Sequence, residues 1–173
     1  ESYINIFDIF FAVSYLIRIR FKKIKHLVKD GIDYSSLVNH DMHCKFGYSL
    51  SIEGLINYRF IKKLHLKHVR FEKFINWWEG HASDKGLNKG LKEFYPNIPV
   101  MGYLGYVPRT LELQLYPTKY EYKLGIIPNQ IAVIGDGFVN EIKKNNLQQE
   151  VVSAPAFRFS HLWDEVLLNT KQH

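Results

Sequence analysis

The stretch Gln130-Ile131-Ala132-Val133-Ile134-Gly135-Asp136-Gly137-Phe138 decides the fold. An uncharged, largely β-branched run of this length reads as a buried strand, and Gly-Asp-Gly ends it abruptly. The glycines permit a left-handed turn, and Asp136 is the expected cap of the helix that follows over residues 138–145. Glu150-Val151-Val152-Ser153 then reads as a further strand ending at Ala154-Pro155. A strand, a helix and a strand in succession form a crossover unit, and crossovers join parallel strands.

The same alternation extends toward the amino terminus. Lys73-Phe74-Ile75-Asn76-Trp77-Trp78 is a short apolar run that stops at Glu79-Gly80. A helix is expected over 84–93, closed by Tyr95-Pro96, and Pro99-Val100-Met101-Gly102-Tyr103 is a strand ending at Leu104-Gly105. The stretch holding Pro108 and Pro117 reads as irregular. The expected fold is therefore α/β: a Rossmann-like parallel sheet of at least four strands with helices on both faces, preceded by an amphipathic helical segment. Ligands of such open sheets bind beyond the carboxyl ends of the strands. Here those ends are residues 79–84, 104–109, 135–140 and 154–158.

The front of the chain has a helical period. Phe7, Phe10, Phe11, Ile17, Phe21, Ile24 and Val28 recur every three or four residues, which predicts one long helix over 3–29, stopped by Gly31. Arg18, Lys22, Lys25 and Lys29 follow the same spacing and form a basic stripe beside the apolar one. A short helix is expected after Asp33, and a longer one over 49–65 carries Ile52, Leu55, Ile56, Phe60 and Leu64 on one face. The expected division is a basic helical segment over 1–68, packed on or leading into the sheet, an α/β domain over 69–163, and a linker or tail over 164–173.

Of 173 residues, 46% are hydrophobic, 23% charged and 15% aromatic, which excludes a disordered chain and a collagen-like one. The single cysteine, Cys44, cannot close an intrachain bridge, so a reducing, cytoplasmic setting is the simpler expectation. No run of 18 uncharged apolar residues exists to span a bilayer as a helix. The chain starts at Glu1 with no charged region ahead of its first apolar run, so no secretory signal is expected, and a start without Met suits a piece of a longer protein. The net charge of +6 lies entirely in the first 73 residues, which hold 13 Lys and Arg against 7 Asp and Glu, while the remainder holds 10 against 10. One end of the molecule is thus suited to an anionic surface. A basic stripe beside phenylalanines fits a membrane surface, whereas nucleic-acid sites place aromatics within the charged patch, so no nucleic acid is expected. A solvated helix face over the core is the plainer reading of the same stripe.

Few local motifs carry chemistry. Gly135-Asp136-Gly137 lacks the third glycine of a dinucleotide fingerprint, with Asn140 in its place. A phosphatase using Asp136 would need an upstream Asp-x-Asp, and none exists. His40-Asp41-Met42-His43-Cys44 crowds three types of metal ligand together, but structural zinc sites draw on two separated pairs, and a solvated loop is expected with no metal. Glu79, His81 and Asp84 offer two carboxylates and an imidazole suited to binding sugar hydroxyls or to general-base work, or else to capping a helix start.

Taken in order, Phe46-Gly47-Tyr48-Ser49, Trp77-Trp78-Glu79-Gly80-His81, Pro99-Val100-Met101-Gly102-Tyr103, Tyr116-Pro117, Ile126-Ile127-Pro128 and Ala154-Pro155-Ala156-Phe157-Arg158-Phe159 resemble the bacterial surface-carbohydrate (capsule and O-antigen) biosynthesis proteins, which are similar to glycosyltransferases of the two-domain GT-B type. The resemblance covers roughly residues 45–163. Glu79 matches the Glu of that family's Glu-Asn-Gln segment, with Gly80 and His81 replacing the other two. Leu104-Gly105-Tyr106 stands where the family carries Gln-His-Ser.

The resemblance implies the acceptor-side, amino-terminal domain of a glycosyltransferase, with His161-Leu162-Trp163 leading out toward a second domain. Its implied partners are a lipid-linked or growing saccharide acceptor, an anionic membrane surface and a carboxy-terminal donor-binding domain. A nucleotide sugar would be the donor substrate of the whole enzyme; no cofactor and no metal are implied for this part, which alone is expected to be inactive. Glu79, Asp84 and His81 are the implied candidate bases. Tyr103, Gly105, Tyr106, Arg109, Asp136 and Arg158 are the candidates for contacts to sugar or phosphate. Arg18, Lys22, Lys25 and Lys29 would face the inner surface of the cytoplasmic membrane. A non-catalytic α/β module that binds a membrane or a partner is the alternative.

Overall fold

The structure, a computed structural model, describes residues 3–109, 111–159 and 161. The chain divides into two compact units, one of residues 1–70 with 81–96 and one of 71–80 with 97–173.

The first unit is helical. It holds α1 (Ile6–Val13), α2 (Tyr15–Arg18), a 3-10 turn (Ile19–Phe21), a two-stranded antiparallel ribbon of β1 (Val28–Lys29) and β2 (Ile32–Asp33), α3 (Ser35–His43), α4 (Lys45–Leu66) and α5 (Ala82–Phe94). The long helix expected over 3–29 is broken. Ser14 Oγ donates to the carbonyl of Phe11 at 2.7 Å and an Arg18 guanidinium nitrogen donates to the same oxygen at 2.9 Å, and after Phe21 the backbone turns extended at Lys22. Side chains of α3 then take over the backbone. Asn39 both accepts from the Ile24 N–H (2.9 Å) and donates to the Ile24 carbonyl (2.8 Å), and Ser35 Oγ accepts from the Leu27 N–H. Such side-chain bonds offer the backbone an alternative to the helical ladder. Asp30 and Gly31, with φ of 51° and 79°, then make the tight turn of the ribbon. The periodic apolar residues mark helical chain as far as Phe21, through α1, α2 and the 3-10 turn, and not beyond it.

The segment 40–44 is also different from expectation, because residues 40–43 close helix α3 instead of forming a loop. Helix α4 begins at Lys45, four residues ahead of the expected start at 49. Helices α4 and α5 pack closely because both present glycine at the crossing: a Cβ on Gly86 would run into the carbonyl of Gly54, and one on Gly54 into the carbonyl of Ala82.

The second unit is built on β3 (Phe74–Trp77), β4 (Val100–Leu104), β5 (Gln130–Ile134) and β6 (Glu150–Ala154), with α6 (Lys119–Leu124) and α7 (Val139–Lys143). The strands lie in sequential order and every neighbouring pair is parallel, so the sheet is α/β as expected. The register aligns Trp77 with Tyr103, Tyr103 with Ala132 and Ala132 with Val152. Period-two alternation therefore sends Trp78, Gly102, Leu104, Ile131, Val133 and Val151 to one face and Ile75, Trp77, Met101, Tyr103 and Val152 to the other. The first face is the core. Trp78, Leu104, Ile131 and Val133 are wholly buried there with Leu115 and Ile142, which come from the two connections between β4 and β6. Both of these connections reach the same face, as crossovers of one hand between sequential parallel strands do.

Helix α6 falls in the stretch expected to be irregular. Thr118 Oγ1 accepts from the Glu121 N–H (3.1 Å), Glu121 accepts from the Thr118 N–H (2.9 Å), and Gly125 closes the helix at φ 65°. Helix α7 is preceded by a 3-10 turn (Asp136–Phe138), ahead of which Gly135 takes φ 83° as expected. Asp136 makes no side-chain cap there, since its place is inside the turn and not ahead of it. The linker or tail expected over 164–173 lies outside the described residues.

Candidate functional site: an aromatic groove at the ends of the strands

The second sheet face carries a groove of about 440 Å³ whose walls include Ile75, Trp77, Met101, Tyr103, Val152 and Phe157. Its aromatic end is organised around Trp77. The indole meets the Tyr103 ring edge-on at 5.6 Å between centroids and lies nearly parallel to the Tyr106 ring at 6.5 Å, with 27° between the planes. Phe157 packs on the far side of Tyr103 at 5.5 Å.

Trp77 and Tyr103 are fixed by hydrogen bonds. Trp77 Nε1 donates to Glu79 Oε1 at 2.6 Å, so the carboxylate and the indole form one rigid edge. The Tyr103 hydroxyl donates to the Pro155 carbonyl at 2.9 Å and accepts from the Phe157 N–H at 3.2 Å, tying the end of β4 to the chain beyond β6. Tyr103 thus offers a ligand its ring and not its hydroxyl. Gly105 has no side chain because none fits: a Cβ there would overlap the Trp77 indole and lie 2.7 Å from Tyr103 Cε1. Gly80, at φ 71°, sets the turn after Glu79, and a Cβ on it would meet the Gln114 carbonyl.

Of the residues singled out in the sequence, Glu79, Tyr103, Gly105 and Tyr106 gather around Trp77; of these Tyr103 alone is among the groove walls, and Tyr106 packs against the core. Arg109 lies farther along the same loop, exposed, 4.0 Å from Glu112. Asp136 is exposed in the 3-10 turn after β5, and Arg158 is exposed in the 3-10 turn Phe157–Phe159; neither they nor Arg109 belong to the groove walls. His81 and Asp84 fall in the first unit. There Asp84 accepts from the His81 backbone N–H at 3.1 Å at the start of α5, which is the helix-start role weighed in the sequence.

The four cations do not make a helical stripe: Arg18 ends α2, Lys22 and Lys25 lie outside any helix or strand, and Lys29 is in β1. Among the described residues no group of three His, Cys, Asp or Glu side chains is placed to hold a metal. The sequence alone does not separate Trp77 from Trp78 as the groove residue, and it places Phe157 there only as part of the loop 154–158. The signal for Trp77 was the Trp77-Trp78 pair itself, because neighbours in a strand face opposite ways and only one of the two can enter the core.

Fixed aromatic faces beside a carboxylate are what a saccharide needs: the rings receive the apolar C–H faces of a pyranose, and the carboxylate accepts its hydroxyls. No protein-family model, curated protein or solved structure matches the chain. The chemistry of the groove must therefore carry any functional reading. Among the described residues no helix is long and apolar enough to cross a membrane.

Proposed function

We propose that the second unit is the acceptor-side part of a glycosyltransferase of bacterial surface-polysaccharide biosynthesis, and that it holds a saccharide in the aromatic groove. The observation that carries this reading is the Trp77 indole, held at its polar edge by Glu79 and flanked by Tyr103 and Tyr106. The groove runs over the second face of the sheet along Ile75, Met101, Ala132 and Val152 and reaches the carboxyl ends of the strands at Trp77, Tyr103 and Ala154. Glu79 is the residue assigned as general base toward an acceptor hydroxyl. Asp84 and His81 have structural duties at the start of α5, so the reading does not depend on them. A nucleotide sugar would be supplied through a separate donor-binding domain, and this chain alone would turn nothing over.

Saturation-transfer NMR with oligosaccharides released from bacterial capsule and lipopolysaccharide tests the proposal. Transfer from aromatic protons, lost in Trp77→Ala, supports it; equal transfer in wild type and variant removes it.

A second element of the reading is a peripheral position on the inner face of the cytoplasmic membrane. It is favoured by residues 9–29, which hold Arg18, Arg20, Lys22, Lys23, Lys25 and Lys29 and no Asp or Glu. The non-catalytic alternative rests on the same segment. Sedimentation with anionic vesicles that persists in the wild type without any saccharide binding would favour that alternative.

A further inference from the structure

Helix α1 is built inside out. Its buried side consists of Asp8 and Ala12, and Asp8 is paired with Arg59 at 2.7 Å and approached by Lys63 at 3.6 Å, both from α4. Its outer side is Ile6, Phe7, Ile9, Phe10 and Val13, all exposed, with Phe7 at 74% and Phe10 at 65%. The apolar surface continues through Ile17 and through Phe21, which is 84% exposed. A helix resting on a water-facing surface has the opposite arrangement. So dense a set of large exposed apolar side chains marks a docking surface.

Its surroundings name the occupant. From residue 9 to residue 29 the chain carries six Lys and Arg and no acid, so the partner is anionic as well as apolar. A second copy of this chain would set the same cations against each other. An anionic bilayer meets both demands, since its headgroups take the cations and its acyl boundary the phenyl rings. With eight residues α1 is about 12 Å long, far short of a span, so it would lie within the interface.

We infer that α1 and the turn after it are a membrane wedge, in which Phe7, Phe10 and Phe21 enter the acyl boundary of an anionic leaflet and Lys22, Lys23 and Lys25 sit at its phosphates. Arg18 is set apart from this role because its guanidinium lies 4.7 Å over the Phe11 ring and donates to the Phe11 carbonyl. The inference rests on the peripheral-membrane element of the preceding section and deepens it: that element requires attraction alone, the wedge requires insertion.

The test is co-sedimentation of the whole chain with vesicles of phosphatidylcholine and with vesicles of equal parts phosphatidylcholine and phosphatidylglycerol. The wild type is expected to bind the mixed vesicles and not the neutral ones. The triple variant Phe7→Ser, Phe10→Ser, Phe21→Ser should partition roughly tenfold less or weaker still, with unchanged circular dichroism. A Trp placed at position 10 (F10W) should add emission that brominated phosphatidylcholine in the mixed vesicles quenches. If the triple variant binds the mixed vesicles as the wild type does while K22E/K23E/K25E does not, surface attraction stands and the wedge is overturned. If the wild type binds neither vesicle, or forms a dimer that the triple variant abolishes, both fail.

Discussion

The indole nitrogen of Trp77 donates to the carboxylate of Glu79, two residues on, across the end of β3. A strand sends alternate residues to one face, so residue 79 would follow Trp77 on the groove side if the strand continued. Gly80, in the left-handed region at φ 71°, turns the chain immediately afterwards. The consequence is a tryptophan with one edge anchored and a carboxylate whose position is fixed by its neighbour.

Replacing Glu79 with Gln keeps an acceptor for the indole and removes the charge. Hydrogen bonds to charged groups are worth about 1.5–3 kcal/mol, so saccharide affinity should fall about tenfold or more while the melting temperature stays near that of the wild type. Titration calorimetry with the same oligosaccharides checks this, and an unchanged affinity would separate Glu79 from the ligand.

Gly105 and Gly102 lie in the same stretch of chain but have opposite duties. Alanine at 105 displaces the Trp77 and Tyr103 rings, and it should abolish saccharide transfer in NMR with a modest loss of stability. Alanine at 102 places a Cβ 2.8 Å from both Pro128 Cγ and Trp78 Cβ, inside the core. Overpacking of this kind costs about 1–3 kcal/mol, readable as a lower urea midpoint.

At the crossing of α4 and α5 the obstacles are backbone atoms, which cannot rotate away. Gly86→Ala should therefore destabilise the first unit by about 2–4 kcal/mol. Hydrogen exchange resolved by residue should find the loss in α4 and α5.

Asp8 gives the first unit an acid limit. Burial pushes its carboxyl up, but the Asn5 N–H, at 3.1 Å, and the cations of Arg59 and Lys63 outweigh burial and hold it below its ordinary value of 3.8. A group whose pKa is depressed by folding contributes stability above its unfolded value and loses it as the pH falls through the folded one. The wild type should thus lose stability below about pH 4, and Asp8→Asn should flatten that fall. At neutral pH the variant should be about 2 kcal/mol less stable, because Arg59 and Lys63 keep partial access to water. Urea unfolding across roughly pH 3–7 reads both effects.

The sheet was legible because its strands are short apolar runs closed by glycine or proline: Glu79-Gly80, Leu104-Gly105, Gly135-Asp136-Gly137 and Ala154-Pro155 each stand at or just beyond the end of a strand. The amino-terminal segment was not, because its periodicity survives past residue 21 while Asn39 and Ser35, distant in sequence, capture its backbone. Helix α6 was overlooked between prolines although Thr118, Glu121 and Gly125 spell its start and end. The rule about strand ends pointed to the loop residues Glu79, Gly105 and Tyr106, which gather around Trp77 without lining the groove. The pair Trp77-Trp78 stood out as a whole, and only the register showed that the core takes Trp78 and leaves Trp77 to the groove.

The most direct measurement is saturation-transfer NMR on wild type, Trp77→Ala and Tyr106→Ala with the capsule and lipopolysaccharide oligosaccharides. Transfer to pyranose C–H protons in the wild type, with loss in both variants and retained circular dichroism, is the predicted result. Absence of transfer in the wild type, or transfer that both variants leave intact, would contradict a saccharide seat on the Trp77 face.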